Sequence, residues 1–457
     1  MKPFSTIAAI STPYGTGGIS IIRISGSRAI EIADKVFTAS SGIKLKDANT
    51  HTIHHGHIKS VEGERLDEVL VSVMLAPRTY TGEDTVELNC HGGLFTTKRV
   101  LEEVLKAGAE NASRGEFTKR AFLNGKTDLC RAEAVIDLIN SKTNLEQSIS
   151  VNHLGGTLSK RINELREALI TLTAHLQVLI DYPDEELEPL SDDEFLNELK
   201  RIKAEAEQLL NTSDAGSIIK DGIDTAIVGK PNVGKSSLLN LLSGEEKAIV
   251  TDIEGTTRDA IEQRVSLGGI MLNLADTAGI RETDDKIEAI GVKISKEYVE
   301  KSKLIIFMAD AVSGIDENDK EIIASLSGKT AIALINKTDA AEFAESDFFR
   351  ENFKRVIRFS VKEKTGVDEL AETVKELFEI GDIENNSDII TNARHKDALY
   401  RTKEALSSAI AAIECGISAD TTFVDIETAI ASLGEIVGLT VSEEIVDKIF
   451  HGFCVGK

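Results

Sequence analysis

Basic excess is the first thing this 457-residue chain lacks: 52 lysines and arginines face 76 aspartates and glutamates, a formal charge of −24. A general nucleic-acid coat would carry the opposite sign, because Lys and Arg neutralise phosphate in such binding. Sequence-blind RNA binding is therefore excluded. An RNA substrate met by a local basic patch, or shared with a second protein, is not. Cysteine is scarce as well. Cys90, Cys130, Cys415 and Cys454 lie far apart and form no C-x-x-C pair, so zinc-site and disulfide-framework spacings are both missing. Reduced thiols in a cytosolic protein are the expectation. Long apolar runs are absent too. The short stretch from Ile7 to Ile10 is cut off by Pro13 and Gly15, which is no signal peptide, and no run reaches membrane-spanning length. A cytoplasmic protein with no membrane partner is expected.

The length is too great for one hydrophobic core and points to about three domains. Residues 1–118 mix β-like runs (Gly18 to Ile24, Glu68 to Leu75) with helical patterns (Ala29 to Phe37, Thr97 to Ala107), an α+β domain. Residues 119–215 read as helix. Leu158, Ile162, Leu165, Leu169, Leu172, Leu176 and Leu179 follow one another at alternating steps of four and three, a heptad seam expected to pack on another helix. Pro183 and the acidic run to Glu194 end it as a solvated turn.

From 216 to 381 the pattern is strand, loop, helix, repeated. Candidate strands are Thr225–Val228, Met271–Ala275, Leu304–Ala309, Thr330–Ile335 and Val356–Ser360, separated by amphipathic segments such as Lys286–Lys301 and Val367–Phe378. Such alternation implies a mainly parallel sheet covered on both faces. Residues 382–457 are helical again: Leu399, Thr402, Leu406, Ala409 and Ile413 share a face. Thr440 with Glu443 resembles a capping box for a last helix. Helices before and after an α/β unit imply one helical domain interrupted by an insertion whose ends lie close together.

The insertion carries the chemistry. Gly229-Lys-Pro-Asn232-Val233-Gly234-Lys235-Ser236 fits G-x-x-x-x-G-K-S after a strand and before a helix starting near Ser237. Glycines let backbone amides turn onto phosphates, and the helix N-terminus adds a favourable dipole. Lys235 would reach the β- and γ-phosphates and the Ser236 hydroxyl would bind Mg²⁺. Asp276-Thr277-Ala278-Gly279 follows a second strand, where a carboxylate holds the metal through water and Gly279 senses the γ-phosphate. Asn336-Lys337-Thr-Asp339 follows a third. A carboxylate there accepts guanine N1–H and the 2-amino group, which adenine cannot offer. Ser360-Val361-Lys362 ends the next strand and suits guanine O6. Between the first two elements, Thr251-Asp252-Ile253-Glu254-Gly255-Thr256-Thr257 is a candidate switch loop with a Thr hydroxyl for Mg²⁺. Four elements in this order, each at a strand end, define a Ras-like P-loop G domain that binds GTP.

One expected group is absent. Ile280 stands where Ras-type enzymes have the glutamine that orients the attacking water. Either hydrolysis is weak or another residue acts; Glu282, Asp284, Asp285 and Glu288 are nearby. No arginine finger is evident, although Arg258 and Arg281 are close.

Further motifs make the chain similar end to end to the tRNA-modification GTPase MnmE (TrmE) family. They are Gly15-Thr-Gly-Gly18, Ile22-Arg23-Ile-Ser-Gly26, Thr81-Gly-Glu-Asp84 through Glu87 to His91-Gly-Gly93, Arg120-Ala-Phe-Leu-Asn-Gly-Lys126-Thr-Asp-Leu129, Gly255-Thr-Thr-Arg-Asp259 and Phe453-Cys454-Val-Gly-Lys457. The family usually has Ile where Val455 stands. The resemblance implies a multidomain α/β architecture: a folate-binding, dimerising N-terminal domain, a discontinuous helical domain, and an inserted G domain. It implies a homodimer whose G domains meet around K⁺, the cation standing in for an arginine finger. By position, Asn232, Thr251, Ile253 and Thr256 would hold K⁺, the last three largely through carbonyls, a ligand type that suits an alkali cation. Ser236 and Thr257 would hold Mg²⁺, and Glu288 would position the water.

The same resemblance places folate on Arg23, Glu87, Lys126 and Lys457, a carboxylate reading pterin donors and cations meeting the glutamate tail. It gives Cys454 a role in the modification chemistry. The implied reaction adds an aminomethyl or carboxymethylaminomethyl group to C5 of the wobble uridine in the anticodon loop of certain tRNAs. The flavoprotein MnmG (GidA) is the implied partner, 5,10-methylenetetrahydrofolate the one-carbon donor (5-formyltetrahydrofolate its bound analogue), and ammonia or glycine the amine. No dinucleotide fingerprint occurs here, in keeping with FAD on the partner. GTP hydrolysis would drive conformational cycling. Two rivals stand beside this reading: a ribosome-assembly GTPase switch, and a folate-dependent one-carbon transferase that merely carries a G domain.

Overall fold

A computed structural model describes residues 5–181, 191–245, 262–275, 299–343, 347–381 and 388–457. The chain divides into two compact units, one of residues 1–139, 153–187 and 423–457, the other of 140–152 and 188–422.

The first unit is built on seven strands: β1 (Ile7–Ile10), β2 (Ile19–Ser25), β3 (Phe37–Ala39), β4 (Thr52–Lys59), β5 (Arg65–Met74), β6 (Thr85–His91) and β7 (Glu110–Asn111). Their order is β3-β4-β5-β6-β2-β1-β7, antiparallel throughout except for the β1–β7 pair. Period-two alternation decides which side chains are buried. Ile22 and Ile24 of β2, Val69, Val71 and Val73 of β5, and Val86, Leu88 and Cys90 of β6 form one core with helices Ala29–Val36 and Leu94–Lys106. The intervening residues, Arg23 and Glu87 among them, therefore face away from that core. Within the same unit helix Thr157–Asp181 packs on helix Phe423–Val437. Leu158, Ile162, Leu165, Leu169 and Leu172 of the heptad seam are buried; the side chains of Leu176 and Leu179 lie outside the described ones.

The second unit holds six strands: β8 (Ile223–Val228), β9 (Glu262–Leu267), β10 (Ile270–Ala275), β11 (Leu304–Asp310), β12 (Ala331–Asn336) and β13 (Arg355–Arg358). The order is β13-β12-β11-β8-β10-β9, parallel except for the β9–β10 hairpin. Alternation along β11 serves two cores. Leu304, Ile306 and Met308 pack with helices Lys235–Glu245 and Val367–Leu377, and Ile305, Phe307 and Ala309 pack with Ile323, Phe349 and Phe353 on the other side. Helix Asp192–Asn211 pairs with helix Ala393–Glu414 across the α/β stretch. The Ile390 N–H donates to Thr212 Oγ1 at 2.9 Å, which brings the two ends of that stretch together.

The last helix corrects one expectation. Helix Glu443–His451 is capped by Ser442, whose hydroxyl accepts from the Ile445 N–H, and not by Thr440. The Thr440 hydroxyl is already committed as a donor to the Ala431 carbonyl at 2.9 Å, and Ser442 directly precedes the first helical residue.

Candidate functional site: the nucleotide loops and the Arg23 cluster

Three loops meet at the C-terminal ends of β8, β12 and β13, where open α/β sheets bind ligands. Asn336 ties them together. Its Nδ2 donates to the Val233 carbonyl in the phosphate loop at 2.8 Å, and its Oδ1 accepts from the Val361 N–H at 3.2 Å. It is 3% exposed. Gly234 is a glycine because of this contact. Its φ is +107°, and an added Cβ would lie 2.3 Å from Asn336 Nδ2.

Lys235 opens helix Lys235–Glu245 and folds back on its own loop, donating to the Lys230 carbonyl at 2.8 Å and to the Gly229 carbonyl. Burial pushes its ammonium below the ordinary lysine value. A half-buried ammonium whose two described partners are neutral carbonyls is under-compensated, which favours an anion in the loop. Ser236 and Ser237 are exposed on the first turn of the helix, and Asn232 is exposed at the loop apex with φ +65°. Lys337 donates to the Asn232 carbonyl at 3.3 Å and pairs with the Asp310 carboxylate. Burial alone would raise that carboxyl; the Lys337 ammonium and the Val312 N–H outweigh it and hold it below its usual range.

On the base side, the Ser360 hydroxyl donates to Asp339 Oδ1 at 2.7 Å, and this bond lowers the Asp339 pKa. Lys362 Nζ stands 3.9 Å from Asp339 Oδ2. The carboxylate is thus oriented and ionised, as recognition of two neighbouring N–H donors requires. Thr251, Asp252, Ile253, Glu254, Gly255, Thr256 and Thr257 lie outside the described residues. So do Asp276, Thr277, Ala278, Gly279 and Ile280, with Glu282, Asp284, Asp285 and Glu288 and the arginines Arg258 and Arg281.

The first unit presents a second cluster. Arg23 and Glu87 sit directly opposite in the β2–β6 register, and Arg23 Nε donates to Glu87 Oε1 at 2.9 Å. Arg23 Nη1 donates to the Gly456 carbonyl at 3.3 Å, and the guanidinium lies 5.9 Å from the Tyr80 ring centroid and 5.6 Å from that of Phe117. The tail is seated by its own backbone. Val455 bridges Arg114, the Ser11 hydroxyl donates to the Gly456 carbonyl at 3.0 Å, and Gly456 has φ +93° with the Ile10 carbonyl 2.2 Å from an added Cβ. Lys457 is half-buried; burial first, then the Arg23 cation, lowers its pKa. Cys454 is exposed, its carbonyl accepting from the Gly115 N–H at 3.3 Å. Lys126 binds elsewhere, donating to the Pro77 carbonyl at 3.0 Å. Tyr80 and Phe117 carried no signal in the sequence; only the fold sets their rings beside Arg23.

A mainly parallel sheet with a G-x-x-x-x-G-K-S loop directly after β8 and before a helix is the build of a P-loop GTPase. Residues 6–126 match the family described as GTP-binding protein TrmE N-terminus, and residues 129–454 match the MnmE helical domain. Proteins named tRNA modification GTPase MnmE from Alkaliphilus metalliredigens and Acetivibrio thermocellus are each 47% identical over 456 residues, covering 99% of this chain and 99% of theirs. One from Thermoanaerobacter pseudethanolicus is 46% identical over 458 residues, covering 99% of this chain and all of its own. The chain belongs to the tRNA modification GTPase MnmE (TrmE) family.

Proposed function

We propose that this chain hydrolyses GTP to drive conformational cycling during modification of C5 of the wobble uridine of certain tRNAs. It does so as a cytoplasmic homodimer working with a flavoprotein of the MnmG (GidA) type that holds FAD. The observation that carries the GTPase half is Asn336, one buried amide joining the phosphate loop to the guanine loop. Family membership over nearly the whole chain supports the tRNA half. Among the described residues no helix is long and apolar enough to cross a membrane.

In this reading Asn232, Val233, Gly234, Lys235, Ser236 and Ser237 cradle the phosphates, and Asn336, Lys337, Asp339, Ser360, Val361 and Lys362 hold the base. Ser236 fits Mg²⁺ because its hydroxyl is exposed on the first helical turn beside Lys235; Thr257 would complete the set. Asn232 would give a side-chain oxygen to K⁺, with Thr251, Ile253 and Thr256. Bound K⁺ would supply the positive charge that an arginine finger gives elsewhere, and Glu288 would orient the water.

A reduced folate, 5,10-methylenetetrahydrofolate, fits the Arg23 cluster, whose aromatic rings, carboxylate and cations match a pterin with an anionic tail. Glu87 would read the pterin donors, Arg23 and Lys457 would face the anionic end, and Lys126 would reach the tail from the Pro77 side. Cys454 stands exposed on the docked tail for the modification step.

Hydrolysis in K⁺ against Na⁺ at matched ionic strength, with Asn232→Ala alongside, tests the cation. Stimulation by K⁺ that is lost in the variant is the expected result. Equal, slow hydrolysis in both salts would remove K⁺ from the proposal and favour a partner-activated ribosome-assembly switch.

A further inference from the structure

We infer that the stretch from Asp310 to Asp319 is a brace for the phosphate loop, acting through Lys230 as a positioning residue. The inference rests on the GTPase reading and adds a residue that the nucleotide-binding motifs do not specify. Lys230 follows Gly229 in the phosphate loop. Its ammonium lies 2.7 Å from Asp319 Oδ2 and 3.0 Å from Asp316 Oδ2.

Those two acids cap helix Glu317–Ser325 reciprocally. The Asp319 N–H donates to Asp316 Oδ1 and the Asp316 N–H to Asp319 Oδ2, each at 3.1 Å. A capping pair ordinarily needs only one charge, or none. Two carboxylates here repel, and Asp319 is wholly buried. Its second oxygen has no hydrogen-bond partner among the described residues, so the Lys230 ammonium is the cation that compensates it. Hydrogen bonds to both acids raise the Lys230 pKa, which keeps it charged.

The consequence for the nucleotide runs along one residue. The Lys230 side chain is anchored on the buried acid, while the Lys230 carbonyl accepts from Lys235 Nζ, the ammonium that must meet the phosphates. At the other end of the same stretch, Asp310 holds Lys337, which donates to the Asn232 carbonyl. One segment thus fixes the phosphate loop at two points, residues 230 and 232. A loop held in its binding shape before the ligand arrives loses less entropy on binding.

The test is affinity for a fluorescent GDP, with KM and kcat for GTP, on the full-length chain; GDP binding by the unaltered chain is the control that separates failure of the brace from failure of the GTPase reading. Lys230→Met is expected to weaken GDP about tenfold, the size of a coupling within one packed network, with the loss of GTPase efficiency appearing in KM. Lys230→Arg restores it. Asp319→Asn behaves like Lys230→Met, and the double variant is no worse than either, because the two groups act as one pair. Lowered melting temperature with unchanged GDP affinity per folded molecule would overturn the brace, as would additive losses in the double variant. If Asp319→Asn does not fold, Asp316→Asn at the exposed acid decides: about threefold weaker GDP, as for a partly solvated pair, supports the brace, and wild-type affinity refutes it.

Discussion

Removing the Asn336 side chain tests whether one buried amide joins the phosphate loop to the guanine loop. Asn336→Ala leaves the Val233 carbonyl and the Val361 N–H without the partners they have at 2.8 and 3.2 Å. Val233 is 2% exposed, so its carbonyl bears most of the full penalty of an unmade bond. Val361 is half-buried, and water recovers part of the second. At about 1–3 kcal/mol for a buried group left unsatisfied, the substitution costs about 2–4 kcal/mol of local stability. Bulk denaturation of a chain with two compact units does not define a single free energy. Native-state hydrogen exchange does so locally, read at the amides of β11 and β12. An opening free energy within about 0.5 kcal/mol of wild type, the additivity error of such comparisons, would refute the argument. Asn336→Asp sharpens it. The new carboxylate still accepts from Val361 but sets a negative oxygen against the Val233 carbonyl, where burial and repulsion raise its folded-state pKa. The folded state then binds the proton more tightly than the unfolded one, so the defect shrinks as pH falls and is full above the raised pKa. A pH-independent defect would mean that Asn336 does not donate to Val233.

Further outcomes follow from the same geometry. Asp339→Asn replaces one acceptor oxygen with a donor, so the preference for GTP should pass to xanthosine triphosphate; competition binding that still favours GTP would refute the base-side assignment. Arg23→Ala should abolish calorimetric binding of 5-formyltetrahydrofolate while GDP affinity stays at the wild-type value, and undiminished folate binding would displace the proposed pocket from the Arg23–Glu87 pair. Gly456→Ala, which drives a Cβ into the Ile10 carbonyl, should unseat the tail and weaken folate at least tenfold if tail docking contributes the ~1.4 kcal/mol or more that such a factor needs; unchanged affinity would mean that the tail takes no part. Burial, helped by Asp67, pushes the Cys90 thiol up to about 12. Its stabilising contribution is therefore complete below the ordinary thiol pKa of about 8.5 and is lost as pH rises toward the folded value. Melting temperature should fall between about pH 8.5 and about 12, the window set by those two values, more steeply in wild type than in Cys90→Ala, and parallel slopes would contradict this.

What was legible in the sequence was local. Gly234, Lys235 and Ser236 lie within one turn of chain, so the motif they form is visible in their spacing alone. The alternation of strand and helix around them anticipated β8, β10, β11, β12 and β13 to within a few residues. β4 escaped because His54, His55 and His57 blur the apolar alternation along Thr52–Lys59. The antiparallel edge strand β9 escaped because Glu262, Gln263, Arg264 and Ser266 leave only Val265 and Leu267 apolar along Glu262–Leu267, too few to mark a strand by alternation. Ser442 was passed over for Thr440 because a cap is defined by backbone geometry at one residue, and two hydroxyls two positions apart look alike in sequence. Lys230 with Asp319, and Arg23 with Tyr80 and Phe117, were invisible for a different reason: each joins segments that only the finished sheet brings together.

That distinction bears on how the two chemistries are joined. Arg23 and Glu87 belong to one compact unit and Asn336 to the other. If GTP hydrolysis drives the modification step, the link is a difference in free energy between conformations that each ligand biases. Linkage requires that coupling to be reciprocal: a non-hydrolysable GTP analogue that alters folate affinity must see its own affinity altered by the same factor when folate is bound. Calorimetry of each ligand with and without the other measures the factor twice. Agreement between the two values, with loss of both in Lys230→Met, would place the phosphate-loop brace on the coupling path. Factors of one would leave two independent sites on one chain, and the drive from GTP would then have to enter at the product or partner-release step.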